Sequence, residues 1–260
     1  MDTVPLDDRG LLLGDGLFET ILWRDGGLVL LEDHAARMAA GCQTLGLPVP
    51  EALHLAECAG RAIERTGLAH ARAAVRLTLT AGSGSRGLER PAIVQARLFG
   101  QASESPVLTE PVTLATARVR RNANSPASRL KTLAYLDNVL ARREARLAGA
   151  EEALMLNGRD EVSCAAAANV FWVDDDRLFT PALDCGVLEG VMRRQVLMAA
   201  RRLGADAREV REPAEALASA QAIFLTSSLA GVRRATRLDG RELGSHPLID
   251  ELGKAVAEVS

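Results

Sequence analysis

Residues 17–23, LFETILW, alternate in hydrophobicity and are rich in strand formers, and the RDGG that follows reads as a hairpin turn leading into LVLL. A chain that opens this way must build a sheet, because a lone hairpin cannot cover its own apolar face. Two stretches with helical spacing come next, EDHAARMAAGCQTLG (32–46) and PEALHLAECAGRAIERTG (50–67), each ending at glycine as helices commonly do. RAAVRLTLT, AGSGSRG and PAIVQARLF then read as strand, tight loop and strand, with VTLATARV (112–119) as a further strand. The first part, residues 1–119, is therefore expected to be a smaller α/β domain.

RRNANSPAS (120–128) is polar, lacks periodicity and contains Pro126, so it is expected to be a linker. A larger C-terminal α/β domain is expected over 129–260. It opens with a helix over 129–148 and continues through short strands at EEALML, ANVFWV and RLFTP. A long helix from about Leu188 to Leu203 follows, then strands at QAIFLTSS and GVRRATRL, a DG turn, and a closing helix from about Pro247. The fold class is thus a two-domain α/β (α+β) arrangement.

The chain has 260 residues, 48% hydrophobic and 25% charged, enough to bury a full core. A net charge of -3, with acidic residues spread among the arginines, gives no basic face for nucleic acid. Four cysteines without a CxxC pair suggest neither a zinc site nor a disulfide framework, so no metal is expected and a reduced cytoplasm is the expected compartment. No apolar run reaches the roughly 18 residues of a membrane span, and no export signal or anchor is expected.

Only two of the 31 basic residues are lysines, Lys131 and Lys254. A chain that meets general demands for positive charge with guanidinium has kept an amine at mid-chain, in RLKTLAYLDNVLA, beside its only tyrosine, Tyr135. Arginine cannot form a Schiff base, whereas a desolvated lysine becomes a nucleophile. The composition alone also allows a solvated helix charge. His34 and Arg37 are spaced for one helical face and read as surface residues flanking the apolar stripe of Met38 and Leu45. GVLEGVMRRQVL (186–197) places glycines where a helix begins, an arrangement that aims free N–H groups at an anion. LTSSLAGV (225–232) sets hydroxyls after an apolar strand, where they cap turns or bind phosphate.

The order of these features carries more than any one of them. GDGLFETI (14–21), HAARM (34–38), GSGSRGL (82–88), LKTLAYLDNVLA (130–141), CAAAANVFW (164–172), GVLEGVMR (186–193) and LTSSLAGVRRATRLDG (225–240) together resemble the class IV aminotransferases, the fold-type IV group of pyridoxal-phosphate enzymes. The resemblance runs in register over most of the chain. It implies two α/β domains with the cofactor in the cleft between them, and a homodimer whose partner contributes to the site. It makes Lys131 the catalytic lysine that holds pyridoxal 5'-phosphate. It makes Arg37 a phosphate ligand, with backbone donors at Val191 and Met192 and the hydroxyls of Ser227 and Ser228 completing the cup. Tyr135 would lie one helical turn beyond Lys131, reaching the cofactor's phenolic oxygen or the substrate, or else serving as a core aromatic.

One position departs from the family pattern. Where most members carry glutamate against the pyridine nitrogen, this chain has Cys164; Glu161, three residues earlier, would face the other side of a strand. A neutral thiol cannot hold the ring nitrogen protonated, which disfavours transamination more than elimination. GSGSRGL resembles the glycine-rich loop of aminodeoxychorismate lyases, with Arg86 a candidate for a substrate carboxylate. Leu88 stands where D-amino acid aminotransferases carry histidine, and SSL at 227–229 where branched-chain enzymes read GTA. The expected activity is conversion of 4-amino-4-deoxychorismate to 4-aminobenzoate and pyruvate, a step toward folate. The alternatives are a small-substrate aminotransferase of the same fold and a repurposed, non-catalytic member.

Overall fold

A computed structural model describes residues 3–258. It divides into two compact units: one runs through Pro106 and includes Leu130–Ala134, and the other comprises Val107–Arg129 and the chain from Tyr135 onward. The mixed α/β class expected from the sequence is the one found. Among the described residues no helix is long and apolar enough to cross a membrane.

The first unit contains α1 (Arg9–Leu13), β1 (Gly16–Arg24), β2 (Gly27–Leu28), α2 (Leu31–Leu45), α3 (Ala52–Thr66), β3 (Ala73–Thr80) and β4 (Arg97–Glu104). Its sheet is antiparallel in the order β2-β1-β3-β4. Asp25 and Gly26 both take positive φ, 53° and 81°, as a tight hairpin turn whose twist matches its strands demands. The two helices end at Gly46 and Gly67 in the left-handed conformation, the stop signals visible in the sequence. Leu17 and Ile21 of β1 join Val75, Leu77 and Leu79 of β3 in one buried cluster with Met38, Cys42, Leu55 and Ile63 of the helices.

The second unit holds β5 (Val112–Thr116), α4 (Leu136–Leu147), β6 (Glu152–Leu156), β7 (Val162–Ala165), β8 (Asn169–Asp174), β9 (Arg177–Pro181), α5 (Val191–Arg202), β10 (Ala207–Val210), β11 (Ala222–Ser227), β12 (Gly231–Leu238), β13 (Arg241–Glu242) and α6 (Pro247–Ala257). Its nine strands run β10-β9-β8-β11-β12-β5-β6-β7, with β13 paired to β12. The long helix begins at Val191, three residues later than expected, after Gly190 as N-cap.

Two expectations change. VTLATARV was expected in the first domain, but β5 pairs parallel with β12 and β6 and so belongs to the second sheet. The helix expected over 129–148 forms only from Leu136. Pro126–Arg129 is a 3₁₀ turn, and Leu130–Ala134 is not helical. The reason lies in β1: its first three residues have no β2 partner, because β2 pairs only with Trp23 and Arg24. The Phe18 N–H donates to the Lys131 carbonyl (2.9 Å), the Leu133 N–H donates to the Gly16 carbonyl (3.1 Å), and Leu17 faces Thr132 across a bridge. Satisfying that open strand edge outweighs the helical preference of a five-residue segment.

Candidate active site

Pairing with β1 places the Lys131 side chain beside Phe18, with its amine 4.3 Å from the centre of the ring. Arg76 covers the same ring, its guanidinium carbon 3.6 Å from the centre. Part of Lys131 reaches the surface, but its amine is desolvated. Burial is the main reason its pKa falls to about 7; the charges of Arg37 and Arg76 push the same way, and Glu19 opposes them. Near neutral pH a large fraction of this amine carries a free electron pair, the state that attacks a carbonyl or removes a proton.

Glu19 is a buried acid that interacts with Lys131 and Arg37 and that sequence reasoning missed. It falls on the same face of β1 as Leu17 and Ile21, on the apolar side, and is 1% exposed. Its carboxylate is met from α2: Arg37 donates through Nε to Oε1 (2.8 Å) and through Nη2 to Oε2 (2.5 Å), and His34 Nδ1 lies 2.6 Å from Oε2. Because an ionised carboxylate only accepts, Nδ1 is the protonated ring nitrogen of His34. Burial works against the ionised form of Glu19, yet Arg37 and His34 outweigh it and hold the pKa at about 2. The expectation that His34 and Arg37 sit on the surface is therefore corrected: His34 is 1% exposed, and both are drawn inward by Glu19. The available signal was an acid at the middle of an alternating strand, at an apolar position.

In the second unit, Val191 and Met192 open α5, where the first backbone N–H groups have no partner within the helix. Gly190 is required here, because a Cβ would lie 2.0 Å from Asn169 Oδ1, and Asn169 Nδ2 donates to the Leu188 carbonyl (2.9 Å), fixing the turn. Thr226 pairs with Asn169 across β11 and β8, so both side chains share a sheet face. The Thr226 hydroxyl is buried without a hydrogen-bond partner, which marks a place where an acceptor or donor is wanted. Ser227 and Ser228 follow directly, and Ser227 Oγ accepts from the Ala230 N–H (3.3 Å).

Tyr135 is not one helical turn beyond Lys131. It is the N-cap residue of α4, and the non-helical segment before it ends any shared helical face. Cys164 lies on β7, 6% exposed, packed with Ala141 and Ala145 of α4 and with Ala153, Met155 and Ala166. Burial pushes its thiol up, with Arg121 pulling the other way, so it stays neutral. Arg121 is held by the Gly186 carbonyl (3.3 Å), the Ser128 carbonyl (2.5 Å) and Asn138 Oδ1 (3.2 Å), and Asn138 in turn donates to the Ala166 carbonyl (2.7 Å). Glu161 is engaged by Arg159 (2.7 Å) and Asn157 (2.6 Å). Arg86 stands exposed on the 82–90 loop of the first unit.

Comparison with known proteins gives a consistent match. The family model described as amino-transferase class IV covers residues 16–238. A Methanocaldococcus jannaschii protein described as a branched-chain-amino-acid aminotransferase is 29% identical over 98% of this chain and 89% of its own length. The aminodeoxychorismate lyase of Bacillus subtilis is 28% identical over 92% and 82%. A solved structure from Legionella pneumophila, described as a 4-amino-4-deoxychorismate lyase, superposes with a TM-score of 0.93 at 29% identity, covering 100% of this chain and 96% of that one.

Proposed function

The chain belongs to the class IV aminotransferase family, and from that premise we propose that it converts 4-amino-4-deoxychorismate to 4-aminobenzoate and pyruvate. It is a pyridoxal 5'-phosphate enzyme. Bound, that cofactor supplies an electron-withdrawing ring that acidifies the carbon carrying the substrate nitrogen.

The residues fit such a group. A phosphate dianion is met by guanidinium, helix N-terminal and hydroxyl groups; the first unit offers Arg37, and the second by itself offers the Val191 and Met192 N–H groups, the Ser227 and Ser228 hydroxyls and the orphaned Thr226 hydroxyl next to them. Glu19 fixes the plane of Arg37 by engaging Nε and Nη2. Lys131, whose amine has a pKa of about 7, would hold the cofactor and, once the substrate amine has displaced it, its free amine would take the proton from the nitrogen-bearing carbon and give it to the methylene carbon of the departing enolpyruvyl fragment as pyruvate forms. Aromatisation of the remaining ring drives the elimination. Tyr135 is assigned to the cofactor's phenolic oxygen or the substrate, and Arg86 to a substrate carboxylate.

The observation that carries the lyase reading over transamination is the neutral, alanine-packed thiol of Cys164, whose cationic neighbour is Arg121, where the family pattern sets a carboxylate. A neutral thiol with a cationic neighbour would favour a protonated ring nitrogen less than a carboxylate would, and so would stabilise charge delocalised into the ring less. Elimination, in which the leaving group departs as the proton is removed, tolerates this better. The test is incubation of the holoenzyme with 4-amino-4-deoxychorismate and detection of 4-aminobenzoate and pyruvate in equal amounts; amino transfer to 2-oxo acids with no 4-aminobenzoate would point to an aminotransferase instead. Cys164→Glu is expected to raise amino transfer from an amino acid to a 2-oxo acid roughly tenfold, about 1.4 kcal/mol at the barrier. An unchanged transfer rate counts against the role of this position.

A homodimer is part of the proposal. On α4, Leu136, Val139 and Leu147 are 68, 60 and 79% exposed and share one stripe with Leu140. Light scattering at micromolar concentration is expected to give twice the chain mass, and Leu136→Asp/Val139→Asp to give the chain mass. A monomeric wild type, or a variant that stays dimeric, contradicts this surface.

A further inference from the structure

Arg9 begins α1 and is 4% exposed, a depth at which arginine occurs only when its donors are met. They are met by the loop that follows β3. Nη2 donates to the Leu88 carbonyl (2.7 Å) and Nη1 to the Glu89 carbonyl (3.0 Å), with the Gly87 carbonyl at 3.4 Å, while Nε donates to Asp15 Oδ2 (2.8 Å). One guanidinium thus holds three consecutive carbonyls. Arg90 closes the other end of the loop on the same carboxylate, through Nε to Oδ2 (2.9 Å) and Nη2 to Oδ1 (2.5 Å), and its Nη1 donates to the Leu45 carbonyl. The hydrogen bonds and charge of Arg90, aided by those of Arg9, hold the Asp15 carboxyl below its ordinary value, so the joint stays ionised across the neutral range.

The glycines of GSGSRGL follow from this packing. A Cβ on Gly84 would lie 2.8 Å from Arg9 Cδ, and one on Gly82, at φ +76°, 2.1 Å from the Gln95 carbonyl oxygen. The loop lies directly on the arginine stem. Its base is pinned as well, by the Arg9 N–H to the Gly82 carbonyl (2.8 Å) and the Gly84 N–H to the Asp7 carbonyl (3.1 Å). Against this fixed backbone Ser85, Arg86, Leu88 and Glu89 are exposed, and of these Arg86 carries the cation and Leu88, 81% exposed, the large apolar surface. The loop springs from Thr80, which pairs with Gly16 on one side of β1, while Leu133 pairs with Gly16 on the other. Loop and lysine segment therefore flank the same end of β1.

We propose that Arg9 is the positioning residue of the substrate loop: by gripping the carbonyls of residues 87–89 and Asp15 it presents Arg86 and Leu88 to a flat, carboxylate-bearing substrate, Arg86 meeting the carboxylate and Leu88 the apolar ring edge. The inference rests on the reading of Arg86 given above. Lysine cannot replace Arg9, because an ammonium group lacks the planar fork that reaches carbonyls and carboxylate together. Without the grip, a segment with three glycines regains conformational freedom that substrate binding must then remove.

The test uses the holoenzyme with Arg9→Lys, Arg86→Ala and their combination. Arg9→Lys is expected to raise KM about tenfold with kcat and cofactor affinity within about twofold, and to speed amide exchange at residues 85–90 about tenfold. Adding it to Arg86→Ala is expected to raise KM no further. Unchanged exchange and KM in Arg9→Lys overturns the proposal, as does a parallel loss of kcat and cofactor binding. Unchanged KM in Arg86→Ala overturns the reading of Arg86, while loop exchange in Arg9→Lys still decides the grip. Should Arg9→Lys fail to fold, Gly84→Val displaces the loop from the Arg9 stem and is expected to raise KM equally; unchanged KM there is equally fatal.

Discussion

Replacing Lys131 by methionine is expected to end turnover and, at the same time, to stabilise the cofactor-free protein. The loss of activity follows from one amine serving as anchor, base and acid, and the expected fall is about ten-thousandfold. The gain in stability follows from linkage. The amine titrates at about 7 in the folded protein, below its ordinary 10.5, so between these values the unfolded chain binds a proton that the folded chain does not. The cost to the folded state grows as pH falls from 10.5 toward 7 and is constant below that. At about 1.4 kcal/mol per unit, reduced for the part of the residue that solvent reaches, removing the amine is worth about 3 kcal/mol at pH 6 and nothing near pH 11. Denaturant melts of wild type and Lys131→Met at the two pH values check this. A variant no more stable than wild type at pH 6 would mean the amine is not held in a desolvated site.

The second large effect is at Glu19. Removing one member of a buried charge group leaves the others uncompensated, at a cost of about 3–5 kcal/mol, and Glu19→Gln would do this to Arg37 and His34. The pH dependence carries the sign. A carboxyl with its pKa lowered from 4.5 to about 2 contributes stability that is fully present above 4.5 and is lost as pH falls from 4.5 through 2. Wild type is expected to lose about 3 kcal/mol across that window from this group, and Glu19→Gln to lose that much less. Because Glu19 also raises the Lys131 amine's pKa, the variant's rate profile should shift its rising limb to lower pH. A melt series in which both proteins lose stability alike between pH 4.5 and 2 would refute the pairing.

Much of this was legible before any coordinates. The Asp25-Gly26 turn, the glycine stops at 46 and 67, and the alternating strands report local backbone preferences that sequence carries directly. What escaped depended on partners distant in sequence. Leu130–Ala134 reads as helix from its spacing, but an edge of β1, more than a hundred residues earlier, takes its hydrogen bonds and keeps it out of the helix. Glu19 and His34 are ordinary when taken apart, and no sequence pattern singles out Arg9, because only folding brings Glu19 under α2 and the 82–90 loop onto Arg9. Lys131 was found by its rarity, which is a compositional signal rather than a structural one.

In the proposed reaction the amine of Lys131 anchors the cofactor. With only two lysines, the chain lends itself to a direct test: load it with pyridoxal 5'-phosphate, fix the linkage with borohydride and map the label by peptide mass. The label is expected on the Lys131 peptide alone; label confined to Lys254 or the terminal amine, or none retained, would contradict it.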